Sequence, residues 1–415
     1  MSIIVRPLPA KIIKPVTVQV PATPPKQGGI RRREPSPVMK MTELEVTGEL
    51  AAVIAQIRNV YSPSVITRAS SEKVMYGRVR SGILSVDLCL AGGLMLSRGS
   101  MIYGNKSAGK STLTLRFIAM IQRMFPEMFV VYMDIEGTFD PAWAKMNGVD
   151  LERLHLVEPE TGESAVDIAD ALIHTKEVSM LVTDSIAFLT PMKEIQGSAE
   201  DSLPGIHARL IGNYLRRINS ALLVERHRGH FPLILHINQF RMSIGVMFGD
   251  PRVLPGGKAL EFATTQQIEM SNKEHTNATK EKGEKGAAKP AEAPPGEKAE
   301  KGTMVLWNEH TIKITKDKSG GRFKEGGFKL IRDEATGLPV AYVDQTRSII
   351  ARGLDCGILQ GAPNSFSLDE SAGISFGGKF AGAPAFGQFL LEDYDRELSI
   401  VDKIVQIYRK RWQVT

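Results

Sequence analysis

Gly104-Asn-Lys-Ser-Ala-Gly109-Lys110-Ser111 is the stretch that decides the fold. It follows the strand-like run Ser100 to Tyr103 and opens the helical pattern Lys110 to Met124. In that context GxxxxGK[ST] is a phosphate cradle. Gly104 and Gly109 let the backbone curl through Asn105, Lys106, Ser107 and Ala108, so that successive N–H groups and a helix N-terminus face one point. Lys110 then reaches the β and γ oxygens of a triphosphate, and Ser111 is placed to hold Mg²⁺.

Outward from this loop, apolar strand-like runs alternate with helical patterns: Met128 to Met133, Ser164 to His174, Met180 to Thr183, His207 to Glu225 and Phe231 to Ile237. Such alternation implies βαβ units, an α/β core with a mostly parallel sheet and helices on both faces. Ligands sit beyond the carboxyl ends of the strands in these sheets. Three ends carry suitable groups. Asp184 closes one strand and can order Mg²⁺; Glu136, just past Asp134, can polarise an attacking water; Gln239 offers an amide to a γ-phosphate. Taken singly, an Asp such as Asp184 at a strand end is more often a turn or cap residue, and Glu136 reads as a surface acid in a loop until the P-loop nearby is counted.

Composition narrows the class. Of 415 residues 24% are charged, and no apolar run is long enough to span a bilayer. The two cysteines, Cys89 and Cys356, lack ligand spacing and read as two buried thiols in a reducing compartment. The net charge of +6 is local: residues 1–40 hold eight bases and one acid, which is +7, so the body is near neutral at −1. That arm, rich in proline, reads as flexible. Leu50, Val53, Ile54, Ile57 and Tyr61 fall at helical spacing, giving an amphipathic helix outside the main core. Asn272 to Thr303, made of Lys, Glu, Ala, Pro and Gly, has too little apolar surface to order itself and reads as a disordered insertion. Strand-like runs Met304 to Leu306 and Thr311 to Thr315 resume the fold, and a closing helix carries Leu398, Val401, Ile404, Val405, Tyr408 and Trp412 on one side.

Two further segments suit a partner. Arg241 to Lys258, rich in glycine with exposed-looking Ile244 and Phe248, suits a loop that orders on a partner. Glu194 to Gly205 leads into a helix whose Arg209 and Arg216 lie on nearly one face. These arginines fit the phosphates of a single strand, or a solvated face with ordinary ion pairs. His227 and His230 lack a third metal ligand.

The P-loop with its Ser-Thr-Leu-Thr-Leu continuation, Asp134-Ile-Glu136, Val182 to Pro191, and Ile237 to Pro251 with Gly256-Gly257 together resemble the bacterial RecA recombinases, from about Val46 to Trp412. The resemblance implies a RecA-like P-loop core with an N-terminal polymerisation helix and a small C-terminal α+β domain. Its divisions fall at 1–42 (disordered basic, proline-rich arm), 43–75 (oligomerisation helix), 76–335 (ATPase core, with the insertion at 272–303) and 336–415 (C-terminal domain). It implies an ATP- and Mg²⁺-dependent filament on single-stranded DNA that pairs with a homologous duplex, in the cytoplasm of a bacterial or phage-infected cell and with no membrane partner. Lys110, Ser111 and Thr112 would hold the triphosphate and metal, Asp184 the metal, and Glu136 the water. Gln239 would couple γ-phosphate to DNA, and Asp140 and Trp143 would contact adenine. Gly205, Arg209, Arg216, Ile244, Phe248, Gly256 and Gly257 would contact DNA, and Lys316 and Lys318 would reach a neighbour's ATP.

Departures from the family are Lys106 in place of an acid, Glu261 in place of a base, and Arg332 in place of an aromatic over adenine. The usual acidic C-terminal tail has no counterpart after Arg409-Lys-Arg411, which implies weaker restraint on duplex binding. The alternatives are an ATP-gated single-strand coating protein without turnover, and a helicase or loader motor of the same fold.

Overall fold

The computed structural model describes residues 48–60, 66, 77–197, 205–242, 251–276, 304–318, 320–368, 374 and 376–412. The arm at 1–42, most of the flanks of the first helix, Ile244, Phe248 and 277–303 lie outside the described residues. Two units are present, divided after Val60. In the first, helix α1 (Glu49–Val60) buries none of its residues.

The second unit is built on a nine-stranded sheet. Its strands are β3 (Gly99–Gly104), β4 (Phe129–Asp134), β5 (Leu154–Val157), β6 (Val178–Asp184), β7 (Leu233–Gln239), β10 (Gln266–Thr276), β11 (Val305–Asp317), β12 (Glu325–Ile331) and β13 (Val343–Asp344). Shorter strands complete the numbering: β1 (Arg78–Val79) with β2 (Leu94–Met95), β8 (Arg241–Met242) with β9 (Arg252–Val253), and β14 (Leu359–Ala362), β15 (Ser365–Leu368) and β16 (Gly378–Phe380). The large sheet runs β13-β12-β11-β10-β3-β7-β6-β4-β5. From β10 to β5 every pairing is parallel, and from β10 to β13 every pairing is antiparallel.

Because β6 and β7 are buried along almost their whole length, they read as continuous apolar runs. Helix α3 (Lys110–Met124) covers one face; α5 (Gly162–Ile173) and α7 (Ile206–His227) cover the other. Side chains alternate across a strand, and burial sorts them by parity. Val130, Tyr132, Met180, Val182, Leu235 and Ile237 pack with Leu113, Phe117 and Ile121 of α3. Val131, Met133, Leu181 and Ile234 pack with Ala165 and Ala169 of α5 and Tyr214 and Ile218 of α7. The same parity carries Asp134, Asp184 and Gln239 to the α3 side.

The structure corrects four expectations. β10 continues to Thr276, five residues into the stretch expected to be disordered, because it pairs with β11 as far as Thr276↔Val305 and stacks His275 on Trp307. The two runs at 304–306 and 311–315 are one strand, β11. The core sheet extends past residue 335, since Val343 and Asp344 pair with β12. Cys89 is buried but Cys356 only half-buried.

A third core joins α9 (Thr346–Cys356), α10 (Gly382–Leu391) and α11 (Tyr394–Trp412) to Leu84 and Leu88 of α2 (Leu84–Cys89). Gln345 fastens this joint. Its Oε1 accepts from Leu84 N at 2.7 Å, and its Nε2 donates to Gly82 O at 2.9 Å and to Glu397 Oε1 at 2.6 Å. Burial raises the Glu397 carboxyl to about 7. A folded-state value above the unfolded one means the native state holds more protons, so this group's contribution to stability is full below the unfolded value near 4.5 and is lost as pH rises to about 7. Glu397→Gln, which keeps one acceptor without the charge, should therefore gain in Tm relative to the parent between about pH 5 and about pH 8. A pH-independent difference in melting curves would contradict this.

Candidate nucleotide-binding site

Strands β3, β4, β6 and β7 end together, and their ends carry Gly104, Asp134 with Glu136, Asp184 and Gln239. The loop from Gly104 curls through Ser107 (φ 61°) and Gly109 (φ 92°), both left-handed, into the first turn of α3. A Cβ at Gly104 would lie 2.2 Å from Met270 O, and one at Gly109 would lie 2.4 Å from His310 Cε1, so both positions require glycine. His310, buried on β11, donates from Nδ1 to Ala108 O at 3.0 Å and braces the loop from behind. Burial lowers its pKa. No signal in the P-loop motif points to a histidine two hundred residues away.

Lys110 Nζ donates to Asn105 O at 2.8 Å, across the loop, and burial lowers its pKa against the pull of Asp184 and Glu136. Ser111 Oγ donates to Asp184 Oδ2 at 3.2 Å, and the Tyr132 hydroxyl donates to the same oxygen. Burial, opposed by the Tyr132 hydrogen bond and reinforced by Glu136, raises Asp184 to about 6. Beside it, Asp134 Oδ2 accepts from Phe139 N at 2.8 Å while Oδ1 is buried without a partner. Among the described residues no cluster of three His, Cys, Asp or Glu is arranged as a cage. Mg²⁺ in a P-loop needs none, because it takes one hydroxyl, phosphate oxygens and water. The hard oxygens of Ser111 and Asp184, with the orphaned Asp134 Oδ1 as an acceptor for a water, fit that ion.

Glu136 Oε1 accepts from Ser185 Oγ at 2.5 Å and from Gln239 Nε2 at 2.6 Å. One carboxylate thus ties the ends of three strands. Asp140 caps α4 (Pro141–Met146) by accepting from Trp143 N at 3.1 Å, and Trp143 Nε1 donates to Thr112 Oγ1 at 3.2 Å on α3. Arg332 lies 4.7 Å over the Trp143 ring, so the position where an aromatic was expected supplies a cation to the same stack. A cavity of about 340 Å³ opens between the P-loop and Asn308, His310, Leu330 and Arg332. Lys106 is exposed on the loop.

Lys316 and Lys318 are not in this group. The register Lys316↔Gln267↔Met101 sets them toward the opposite end of the sheet, where Lys316 Nζ donates to Glu261 O and Thr264 O at the end of α8 (Gly257–Ala263). The DNA candidates fall on two packed elements. Arg209 and Arg216 are exposed on α7 behind Gly205 (φ 80°), and Gly256 (φ 90°) and Gly257 start α8, with Gly256 placed against Ile211. Arg217, by contrast, is engaged with Asp167 and with Asp170 at 2.9 Å. At the chain's end Arg411 is likewise paired with Asp355 at 3.1 Å.

The sequence profile of the RecA N-terminal domain matches residues 48–293. Similar proteins include Protein RecA of Rhizobium rhizogenes (strain K84) and of Agrobacterium fabrum (strain C58), each 33% identical over 347 residues, 83% of this chain and 84% of the relative. Protein RecA of Rhizobium leguminosarum bv. trifolii is 32% identical over the same shares.

Gly109→Ala should destabilise the chain by roughly 1–3 kcal/mol and weaken ADP binding at least about tenfold, by strain at φ > 0 and collision with His310. Unchanged ADP affinity in a fluorescence titration would contradict the cradle geometry.

Proposed function

Because the chain belongs to the RecA family, we propose that it is a DNA-dependent ATPase that polymerises on single-stranded DNA with ATP and Mg²⁺, pairs it with a homologous duplex and exchanges strands. The observation that carries this reading is the Glu136 carboxylate held between Ser185 and Gln239 at the mouth of the P-loop. A carboxylate oriented by two donors is a fixed general base for water, and Gln239 leads directly into β8 and the segment 243–250.

The backbone of Gly104 to Ser111, the Lys110 ammonium and Thr112 hold the phosphates; Asp140, Trp143 and Arg332 seat the base. When bound, Mg²⁺ neutralises charge on the β and γ oxygens. Ser111 and Asp184 would hold it, with Asp134 accepting from its water. A γ-phosphate competes with Glu136 for the Gln239 amide, so the stem of the following loop senses its presence. Gly205, Arg209 and Arg216 on α7, Gly256 and Gly257 on α8, and Ile244 and Phe248 between them contact the DNA backbone, leaving homology to base pairing.

Lys316 and Lys318 serve a neighbour's triphosphate. Their place at the far end of the sheet is the geometry a head-to-tail assembly needs, because one surface offers the P-loop and the other the cations. No helix among the described residues is long and apolar enough to cross a membrane. We place the protein in the cytoplasm of a bacterial or phage-infected cell.

Steady-state ATP hydrolysis with and without single-stranded DNA tests the reading. DNA should stimulate the parent; Lys110→Ala should lose nucleotide binding, and Glu136→Gln should bind nucleotide but turn over about 10²–10⁴-fold more slowly. ATP-responsive DNA binding with no turnover in any variant would indicate a gated coating protein instead.

A further inference from the structure

Tyr132 lies on β4, two residues before its end, with its side chain 2% exposed. Its ring packs in the α3-side core and meets Phe139 at 5.1 Å between centroids. An aromatic core position is satisfied by phenylalanine, since the hydroxyl adds nothing to apolar burial and demands a partner when buried. Here that partner is not a backbone carbonyl or a neighbouring strand's hydroxyl. It is Asp184 Oδ2, the oxygen to which Ser111 Oγ also donates.

The sheet register explains why this side chain and no other reaches the carboxylate. Tyr132 pairs with Val182 and Asp134 with Asp184, so Tyr132 and Asp184 are diagonal neighbours, two residues apart on adjacent parallel strands and of the same parity. A short side chain cannot span a diagonal of about 7–8 Å, whereas a tyrosine can. Asp134, directly opposite, accepts from Phe139 N through Oδ2 and is not bonded to Asp184.

We propose that Tyr132 is a positioning residue for the divalent cation of the nucleotide site: its hydroxyl fixes the Asp184 carboxylate, and the fixed carboxylate orients the Ser111 hydroxyl toward the metal. A carboxylate at a strand end can rotate about two bonds, and one donor on an exposed serine does not hold it. Two donors on one oxygen do, and the tyrosine is the rigid one because its ring is enclosed. Partners of this kind, one step removed from the metal, set its affinity through ligand orientation. The inference rests on the ATP–Mg²⁺ reading above and adds a residue to it.

The test compares binding of a fluorescent ADP analogue to the full chain with and without Mg²⁺, across a Mg²⁺ titration. In the parent, Mg²⁺ should strengthen binding; if it does not, the metal reading of the site fails, independently of Tyr132. Given that dependence, Tyr132→Phe should leave metal-free nucleotide affinity and the melting temperature near the parent's, and shift the Mg²⁺ midpoint upward on the order of tenfold. Tyr214→Phe is the control. It removes another buried hydroxyl, one on α7 bonded at 2.6 Å to Thr183 of β6 beside Asp184 but not to the carboxylate, and the Mg²⁺ midpoint should not move.

In an Asp184→Asn background Tyr132→Phe should change the midpoint no further, since a group acting through Asp184 has nothing left to position. An unchanged midpoint in Tyr132→Phe would overturn the proposal. An equal shift in Tyr214→Phe, or a full additive shift in the Asp184→Asn background, would also overturn it, because either would show a general loosening of the strand.

Discussion

Two hydrogen bonds to one oxygen, from Ser185 Oγ at 2.5 Å and from Gln239 Nε2 at 2.6 Å to Glu136 Oε1, are the contacts toward which the rest of the chain is arranged. They exist only if β4, β6 and β7 end at the same level and in the right order. That level is set by parallel register over strands buried on both faces, where slipping by one residue would exchange the α3 face for the α5–α7 face along the whole strand. The apolar core therefore does more than stabilise the sheet: it fixes which carboxylates face the P-loop. Each of these end groups is polar and buried or half-buried, an arrangement costly in isolation and tolerable because each gains a hydrogen-bond partner from its neighbours. Asp134 Oδ1 is the exception, and it is the atom that fits a metal-bound water.

Much of this was legible in the sequence for a physical reason. The P-loop, the alternating apolar runs and the polar strand ends are local patterns, each confined to fewer than about ten residues, and local patterns survive without knowledge of the fold. Glu136, Asp184 and Gln239 come together at the strand ends, with Lys110 beside them on the first turn of α3. The helix bearing Leu398, Val401, Ile404, Val405 and Tyr408 buries that face. What was not legible depends on pairing at a distance. Nothing near Tyr132 marks its hydroxyl as different from a phenylalanine's ring; the register with Val182 does. His310 behind Gly109 and Arg332 over Trp143 are both supplied by antiparallel strands far along the chain. β5 and β12 went unread because their burial is partial and their apolar runs short. The first residues of the polar stretch after Met270 looked unstructured, yet a strand partner supplies the hydrogen bonds that their own composition does not.

Position within the sheet also explains a division of labour. The P-loop and its carboxylates occupy the carboxyl ends of the parallel strands, and Lys316 and Lys318 lie toward the other end, on the antiparallel extension formed by β11. In a single copy they lie away from the P-loop, an arrangement that suits the proposed head-to-tail assembly. Gln239 is bonded to Glu136 on one side and continuous with the β8–β9 stem on the other. Arg241 reinforces that stem by donating to Ala187 O at 2.7 Å, and Asn238 does so by donating to Pro255 O at 3.0 Å.

The central claim, that one amide couples the nucleotide to the DNA-facing loop, is tested most directly by single-stranded DNA affinity with and without a non-hydrolysable ATP analogue in Gln239→Ala. The account predicts that the variant still binds the analogue but loses the nucleotide-dependent gain in DNA affinity. A gain equal to the parent's would contradict it.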